Sequence, residues 1–387
     1  RAYFDHNATT PVSDTALAAF AEALRDLPGN ASSIHREGQA AKQRLESARR
    51  QIATLAHTRP DEVVFTSGAT EANNLALFGV LAASPPGKRH LITTAIEHPA
   101  VLNPAQELNA TILPVDSNGL IHPADIRRAL RPDTALISVM TANNELGTLQ
   151  PVAEIAALAR EAQVPFHTDA VQALGKIPLP AEYDLLSLSA HKAYGPKGVG
   201  ALIVRKGVPL RRIVFGGHHE RDRRPGTENV PAAVAFAAAT HDLNLDPNIA
   251  ILRDHLEHSI LDRIPRTRVN AAHAPRLPNT SNILFEGIEG EALVIGLDLK
   301  GFAVSSGAAC SSGAVEPSHV LTAIGLSRDD ARSCLRFSLG RSNTRDQIDA
   351  LVDALTEVTA RLRKLSPTLS ENPQPIAVAP IAVAMSG

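Results

Sequence analysis

Between residues 62 and 205 the sequence repeats one rhythm: a short apolar run, a cluster of turn residues, then a stretch with helical periodicity. The runs are EVVFT (62–66), HLITT (90–94), TILPV (111–115), ALISVM (135–140), VPFHTD (164–169), DLLSLS (184–189) and GALIVR (200–205). Helical patterns fill residues 71–83, 124–130 and 152–162. Strands that are apolar at nearly every position must be covered on both faces. Strands alternating with helices therefore read as a mostly parallel sheet between helix layers, an α/β fold. Only a short turn precedes GALIVR, so that strand is expected to run antiparallel. In such an open sheet, ligands bind beyond the carboxyl ends of the strands. SGATEAN, IEHPAV, NNELG, TDAVQ and SAHK all fall there.

After about residue 246 the rhythm changes. A helical stretch (249–264) precedes short strands at TRVNA and TSNILFE. The helix EGEALVIGLDLK, the strand LRFSL (335–339) and a long last helix (344–365) follow. We expect a large domain over 13–245 and a smaller α+β domain from 1–12 with 246–365. The final stretch, 366–387, is rich in Pro and Ala and is expected to be disordered. The formal net charge of -2 points to neither nucleic acid nor an anionic membrane as a partner. No apolar run approaches a membrane span, and no signal-peptide pattern opens the sequence. Two cysteines, Cys310 and Cys334, cannot build a disulfide framework. A cytoplasmic protein with reduced thiols is the expectation.

Several short motifs carry polar chemistry, and each has a plainer reading beside the functional one. FTSGATEANN (65–74) sets Thr70 at the start of a helix, as an anion cradle or simply as a helix cap. HTDAVQALGK (167–176) ends a strand on Asp169, suited to a protonated ring nitrogen or, again, to a cap; Gln172 would reach the same ligand. His98, before Pro99, would stack on a planar ligand or shuttle a proton, or else sit in a surface turn. Cys310 lies in GAACSSGAVEPS (307–318), a Gly, Ala and Ser run without apolar periodicity, better suited to attack than to packing. Cys334 leads into an apolar strand and reads as structural. Arg336, inside a strand, suits a carboxylate or an ordinary interdomain ion pair equally.

The stretch LSLSAHKAYGPKGVG (186–200) puts an ammonium group at the edge of a buried strand. Lys192 either snorkels to solvent or is held for chemistry. Desolvation and neighbouring cations lower a lysine pKa and free its nucleophilic form. Together these motifs supply an anion cradle, an acid for a pyridinium nitrogen, a stacking histidine, a Schiff-base lysine, a carboxylate-binding arginine and a loop thiol. That set meets the needs of pyridoxal phosphate chemistry, in which the protein contributes binding, orientation and electronics.

On these residues, and on YFDHNATTPV, GNASSIHREGQ, NNELGTLQPV, RRPGTENV and LRFSLGR, the chain resembles the cysteine desulfurases. These are class V pyridoxal-phosphate enzymes with the aspartate aminotransferase-like fold (fold type I). The similarity runs from Tyr3 to about residue 365, and the SSGAAC loop resembles the housekeeping and nitrogen-fixation group. The resemblance implies a cofactor-bearing domain with a mostly parallel seven-stranded sheet. It implies Lys192 as the lysine bonded to the cofactor, His98 as the stacking and proton-moving histidine, Asp169 on the ring nitrogen and Gln172 on the ring hydroxyl. Ala69, Thr70, Ser189 and His191 match the phosphate cup, and Thr227 a threonine lent to the neighbouring subunit of a homodimer. Asn144 is implied near both the cofactor ring and the substrate, Asn7 near the substrate, and Arg336 as its carboxylate clamp.

Cys310 is implied as the cysteine that takes up sulfur, and as a transient [2Fe–2S] ligand shared with a scaffold. The implied reaction takes sulfur from L-cysteine, leaves L-alanine, and passes a Cys310 persulfide to acceptors in iron–sulfur cluster assembly, thio-cofactor synthesis or tRNA thiolation. GGHHERDRRPG departs from the pattern at His218, His219 and Asp222, beside Arg221, Arg223 and Arg224. Two rivals remain: a selenocysteine lyase or other β-lyase, and a catalytically idle scaffold that docks assembly partners.

Overall fold

The computed structural model describes residues 1–241, 243, 246–306 and 316–365. The strands are Ala2–Tyr3 (β1), Val63–Thr66 (β2), His90–Thr94 (β3), Thr111–Leu113 (β4), Thr134–Ser138 (β5), Phe166–Asp169 (β6), Leu185–Ser189 (β7), Gly200–Val204 (β8), Thr267–Val269 (β9), Thr280–Phe285 (β10), Phe302–Ala303 (β11), Ser305–Ser306 (β12) and Cys334–Ser338 (β13). Seven of them form one sheet in the order β2-β8-β7-β6-β5-β3-β4. Every pair from β7 to β4 is parallel, whereas β8 runs antiparallel to both β2 and β7. The antiparallel GALIVR strand expected from its short connection is therefore present.

The near-continuous apolar strands are explained by two cores. Ile92, Ile137, Phe166 and Leu186 face the helices Arg36–Leu55 and Val230–His241. Their chain neighbours Leu91, Leu136 and Leu185 face the helix Ala69–Ala83. Successive residues point to opposite faces of a strand, so a sheet covered on both sides leaves no polar register.

The second sheet, β12-β13-β10-β9, is antiparallel throughout. Phe285, Leu335 and Phe337 meet Leu256 and Ile260 of the helix Asn248–Arg263 and Leu351 and Leu355 of the helix Arg345–Leu365. Phe4 joins this core from the N-terminal arm, whose β1 pairs with β11. A further apolar cluster lies between the sheets and brings Ile96, Met140 and Leu146 against Leu284, Val320, Leu321 and Cys334. It presses the second sheet onto the carboxyl ends of β3 and β5.

Candidate active site

Five strand ends line one cleft of about 560 Å3. Of the residues singled out in the sequence, Ala69, Thr70, His98, Asn144, Asp169, Gln172, Ser189, His191 and Lys192 all lie in its wall. Thr227 is exposed on a separate loop, and Arg336 and Asn7 stand behind the wall. Cys310 lies outside the described residues, as does the 366–387 tail.

Lys192 follows β7 in a single turn, Ala190–Lys192. Its Nζ donates to the carbonyls of Asn7 at 2.6 Å and Ala8 at 2.8 Å. Burial, and then the Arg336 guanidinium, push its pKa down to about 8, against the pull of Asp169 and Asp5. At pH 7 such an amine is roughly 300 times more abundant as free base than an ordinary lysine. Asp169 ends β6 and is buried. Its Oδ1 accepts from the Val171 N–H at 3.0 Å, and its Oδ2 from Asn73 Nδ2 at 2.7 Å. No helix follows it, so the capping reading of Asp169 does not apply.

The helix Ala69–Ala83 starts on Gly68, without a capping side chain. Thr70 sits inside the first turn rather than at the cap. The terminus keeps free N–H donors facing a cleft that also holds Ser189, His191 and Lys197. A Cβ at Gly200 would come within 2.8 Å of Gly68 Cα and 2.5 Å of the Leu188 carbonyl oxygen, so this glycine lets β8 run tight beneath the cradle. Burial and the cations Lys192, Lys197 and Lys176 lower the His191 pKa to about 4. Such a positive, donor-rich pocket suits a phosphate.

His98 caps the helix Pro99–Glu107, accepting the Ala100 N–H on Nδ1 at 3.0 Å. Desolvation lowers its pKa and Asp169 opposes the shift. Its neighbour Glu97 is fully buried, and burial raises its pKa to about 8. Glu97 Oε1 accepts from Thr94 Oγ1 at 2.8 Å and from the Met140 N–H at 3.1 Å.

Arg336 is ion-paired in this structure, but with Asp5 of the N-terminal arm, which the expected division groups with its own domain, so the pair is not the interdomain one expected. Its Nη2 donates to Asp5 Oδ1 at 2.7 Å and its Nη1 to the Asn144 carbonyl at 3.0 Å, while its buried Nε has no partner. Asn7 Nδ2 reaches the same Asn144 carbonyl at 3.1 Å and Thr280 Oγ1 at 2.9 Å. Cys334 is buried, with its pKa pushed up to about 12 by desolvation, in keeping with a structural thiol.

Sequence reasoning missed the residues that hold these groups. Glu145 Oε2 accepts from Ser318 Oγ at 2.5 Å, and His319 Nε2 bonds the Glu97 carbonyl at 2.8 Å. These bonds anchor the chain directly after the 307–315 segment. Arg49 clamps Glu220 through both Nη atoms, at 2.6 and 2.8 Å, and the Phe65 N–H joins at 2.9 Å. Arg224 Nε bonds Glu71 Oε1 at 2.7 Å, tying the Thr227 loop to the cradle helix. Each pair spans a long sequence separation and leaves no local signature; the proximity of Glu145 to Asn144 in NNELG was the only hint. Among the departures, His218 Nδ1 and Asp222 Oδ1 pair at 2.5 Å on the surface. Among the described residues no His, Cys, Asp or Glu group is arranged to hold a metal.

The donor set fits pyridoxal phosphate. An amine of lowered pKa stands across from a carboxylate that still has lone pairs to accept, next to an uncapped helix terminus. Fold and site together define a fold-type I pyridoxal-phosphate enzyme. The family model "Aminotransferase class-V" matches residues 2–351, and the chain belongs to that family. It is 42% identical over 382 residues to "Cysteine desulfurase IscS" of Dictyoglomus turgidum, covering 95% of this chain and 97% of the relative. It is 46% identical over 380 residues to a cysteine desulfurase of Cereibacter sphaeroides, covering 95% and 98%. A solved NifS-like protein superposes with a TM-score of 0.86 at 36% identity, covering 94% of this chain and 100% of that one. A structure described as SspA in complex with cysteine does so with a TM-score of 0.79 at 36% identity, covering 88% and 99%.

Proposed function

We propose that this chain is a pyridoxal-phosphate-dependent cysteine desulfurase, which takes sulfur from L-cysteine, releases L-alanine and carries the sulfur as a persulfide on Cys310. The observation that carries the reading is the Lys192 amine, with its pKa near 8, facing buried Asp169 in the strand-end cleft. Bound pyridoxal phosphate supplies an electrophilic aldehyde and a ring that accepts electrons.

Lys192 Nζ would hold the cofactor, leaving its Asn7 and Ala8 carbonyls, and once released would take the substrate Cα proton. Asp169, fixed by Asn73 and the Val171 N–H, would keep a proton on the ring nitrogen. Gln172 would serve the ring hydroxyl, Asn144 would lie near ring and substrate, and Ala69, Thr70, Ser189 and His191 would hold the phosphate. His98 would stack on the ring and move protons between substrate and thiol. Arg336 takes the substrate carboxylate, with Asn7 and the Asn144 carbonyl fixing its plane; to do so it shares or releases Asp5. The Cys310 thiolate forms an S–S bond to the substrate sulfur as the Cβ–S bond breaks, and the carbon fragment becomes alanine after protonation.

We take 13–245 as the large unit and 1–12 with 246–365 as the smaller one, so that Cys310 belongs to the smaller unit by its position in the sequence. The exposed Thr227 loop fits a homodimer in which each chain lends it to its neighbour's phosphate site. Among the described residues no helix is long and apolar enough to cross a membrane. A cytoplasmic enzyme that delivers sulfur to iron–sulfur scaffolds or thiolation acceptors, with Cys310 as a transient cluster ligand, completes the proposal. The test is direct. Protein loaded with pyridoxal phosphate should convert L-cysteine to alanine, and Cys310→Ala should keep the cofactor absorbance yet make no alanine with a thiol acceptor. Full turnover by Cys310→Ala would reject the role of that thiol.

A further inference from the structure

HTDAVQALGK ends on a second lysine that the reaction does not use. Lys176 follows Gln172 by four residues, and its Nζ donates to Gln172 Oε1 at 2.6 Å. The other end of the same amide, Nε2, donates to the Asn7 carbonyl at 3.0 Å. That carbonyl also receives Lys192 Nζ, at 2.6 Å. The chain Lys176–Gln172–Asn7–Lys192 is thus continuous. Lys176 and Lys192 also border a void of about 30 Å3, room for a single water, on the side facing His6 and Asn279.

A side-chain amide has a donor end and an acceptor end, and the two are nearly isosteric. Turning Gln172 over would set its N–H against the Lys176 donor and its carbonyl against the Asn7 carbonyl. The lysine at one end and the backbone carbonyl at the other therefore fix a single orientation. We propose that Lys176 is a positioning residue: by donating to Gln172 Oε1 it locks the amide so that Nε2–H faces the Asn7 carbonyl that also receives Lys192, the orientation in which it would be a donor to the cofactor's ring oxygen. This rests on the desulfurase reading for its purpose, although the lock itself does not. Around Lys192 the other charged or titratable groups are Arg336, Asp169 and Asp5, with Glu71, His98, His191 and Lys197 in the cleft wall and His6, Tyr194 and Asp246 around the small void. None of them touches the Gln172 amide.

The experiment uses the full chain without cofactor. Pyridoxal phosphate with cyanoborohydride is applied at a series of pH values, and the labelled Lys192 peptide is quantified. Wild type should show a midpoint near 8. Burial, then Lys192 and Arg336, push the Lys176 pKa well below that of an ordinary lysine, so what Lys176→Met removes is the Nζ donor. With Gln172 then free to turn its carbonyl toward Lys192, the midpoint should rise by about half to one unit, a ~3- to 10-fold loss of labelling at neutral pH. Lys176→Arg keeps a donor and should restore the wild-type midpoint. In a Gln172→Leu background, Lys176→Met should add little. An unchanged midpoint in Lys176→Met overturns the lock. A full shift persisting in the Gln172→Leu background also overturns it, since Lys176 would then act without the amide. Thermal melts check folding, and Lys176→Leu replaces Lys176→Met if the latter does not fold. Wild type that labels as described yet makes no alanine from cysteine would fail the desulfurase reading and leave the lock standing.

Discussion

The wall of the cleft and the layer of side chains behind it, a first and a second wall, are built in different ways. On the large-sheet side each functional group sits within a few residues of the strand that aims it: Thr70 after β2, His98 after β3, Asp169 at the end of β6, Lys192 after β7. Backbone geometry alone brings them together. On the second-sheet side the groups are held by bonds between distant parts of the chain. Arg336 is fixed by Asp5 and Asn144, Asn7 by Thr280 and Asn279, and Ser318 by Glu145. The first wall suits a cofactor that must not move. The second can be re-partnered, because Arg336 already holds a carboxylate, Asp5, where a substrate carboxylate would enter.

This contrast ranks the consequences of breaking each wall. Lys192→Ala should remove the covalent cofactor band and lower alanine formation by roughly a thousandfold or more, since attachment and proton transfer go together. Arg336→Met on the second wall should leave that band intact. It should lower kcat/KM for cysteine about 10- to 100-fold, mostly through KM, as expected for a lost charge-assisted bond. Loss of the band in Arg336→Met would blur the distinction between the walls.

A pH effect follows for the first wall. The Lys192 pKa is lowered from the usual 10.5 of a lysine to about 8, so the unfolded chain binds more protons between those values. Stability of the cofactor-free protein from this group should therefore rise with pH across that window and be lost as pH falls through 8. Capture of pyridoxal phosphate should rise about tenfold from pH 7 to pH 9, read as initial rates. A profile still climbing toward an ordinary lysine midpoint would contradict the burial argument. The smallest effect is expected at the anchor after the Cys310 segment. Ser318→Ala removes the bond to Glu145 and the cap of the helix His319–Ala323. Alanine formation should fall about fivefold with cofactor absorbance unchanged. An unaltered rate would show that the anchor does not position the thiol segment.

The first wall was largely legible in the sequence because its logic is local. A buried parallel strand announces itself by continuous apolar residues, and the polar motif just past it must lie at the sheet's carboxyl edge. Bounds moved by only a residue or two, as at TILPV, which is a strand only over Thr111–Leu113. The helices Asp14–Asp26, Arg36–Leu55 and Val230–His241 were not read, although they cover one face of the large sheet. The second wall was less legible. Nothing near Arg336 says that Asp5 will meet it, and nothing in NNELG says that Glu145 will reach Ser318. The buried Arg49–Glu220 clamp belongs to the same class, because its partners are far apart in the chain and each reads locally as a solvated charge.

The account depends most on where the cofactor is bonded. Protein loaded with pyridoxal phosphate, reduced with borohydride, digested and mapped should carry the pyridoxyl mass on the peptide containing Lys192. A label on Lys176, Lys197 or any other lysine, or on none, would contradict it.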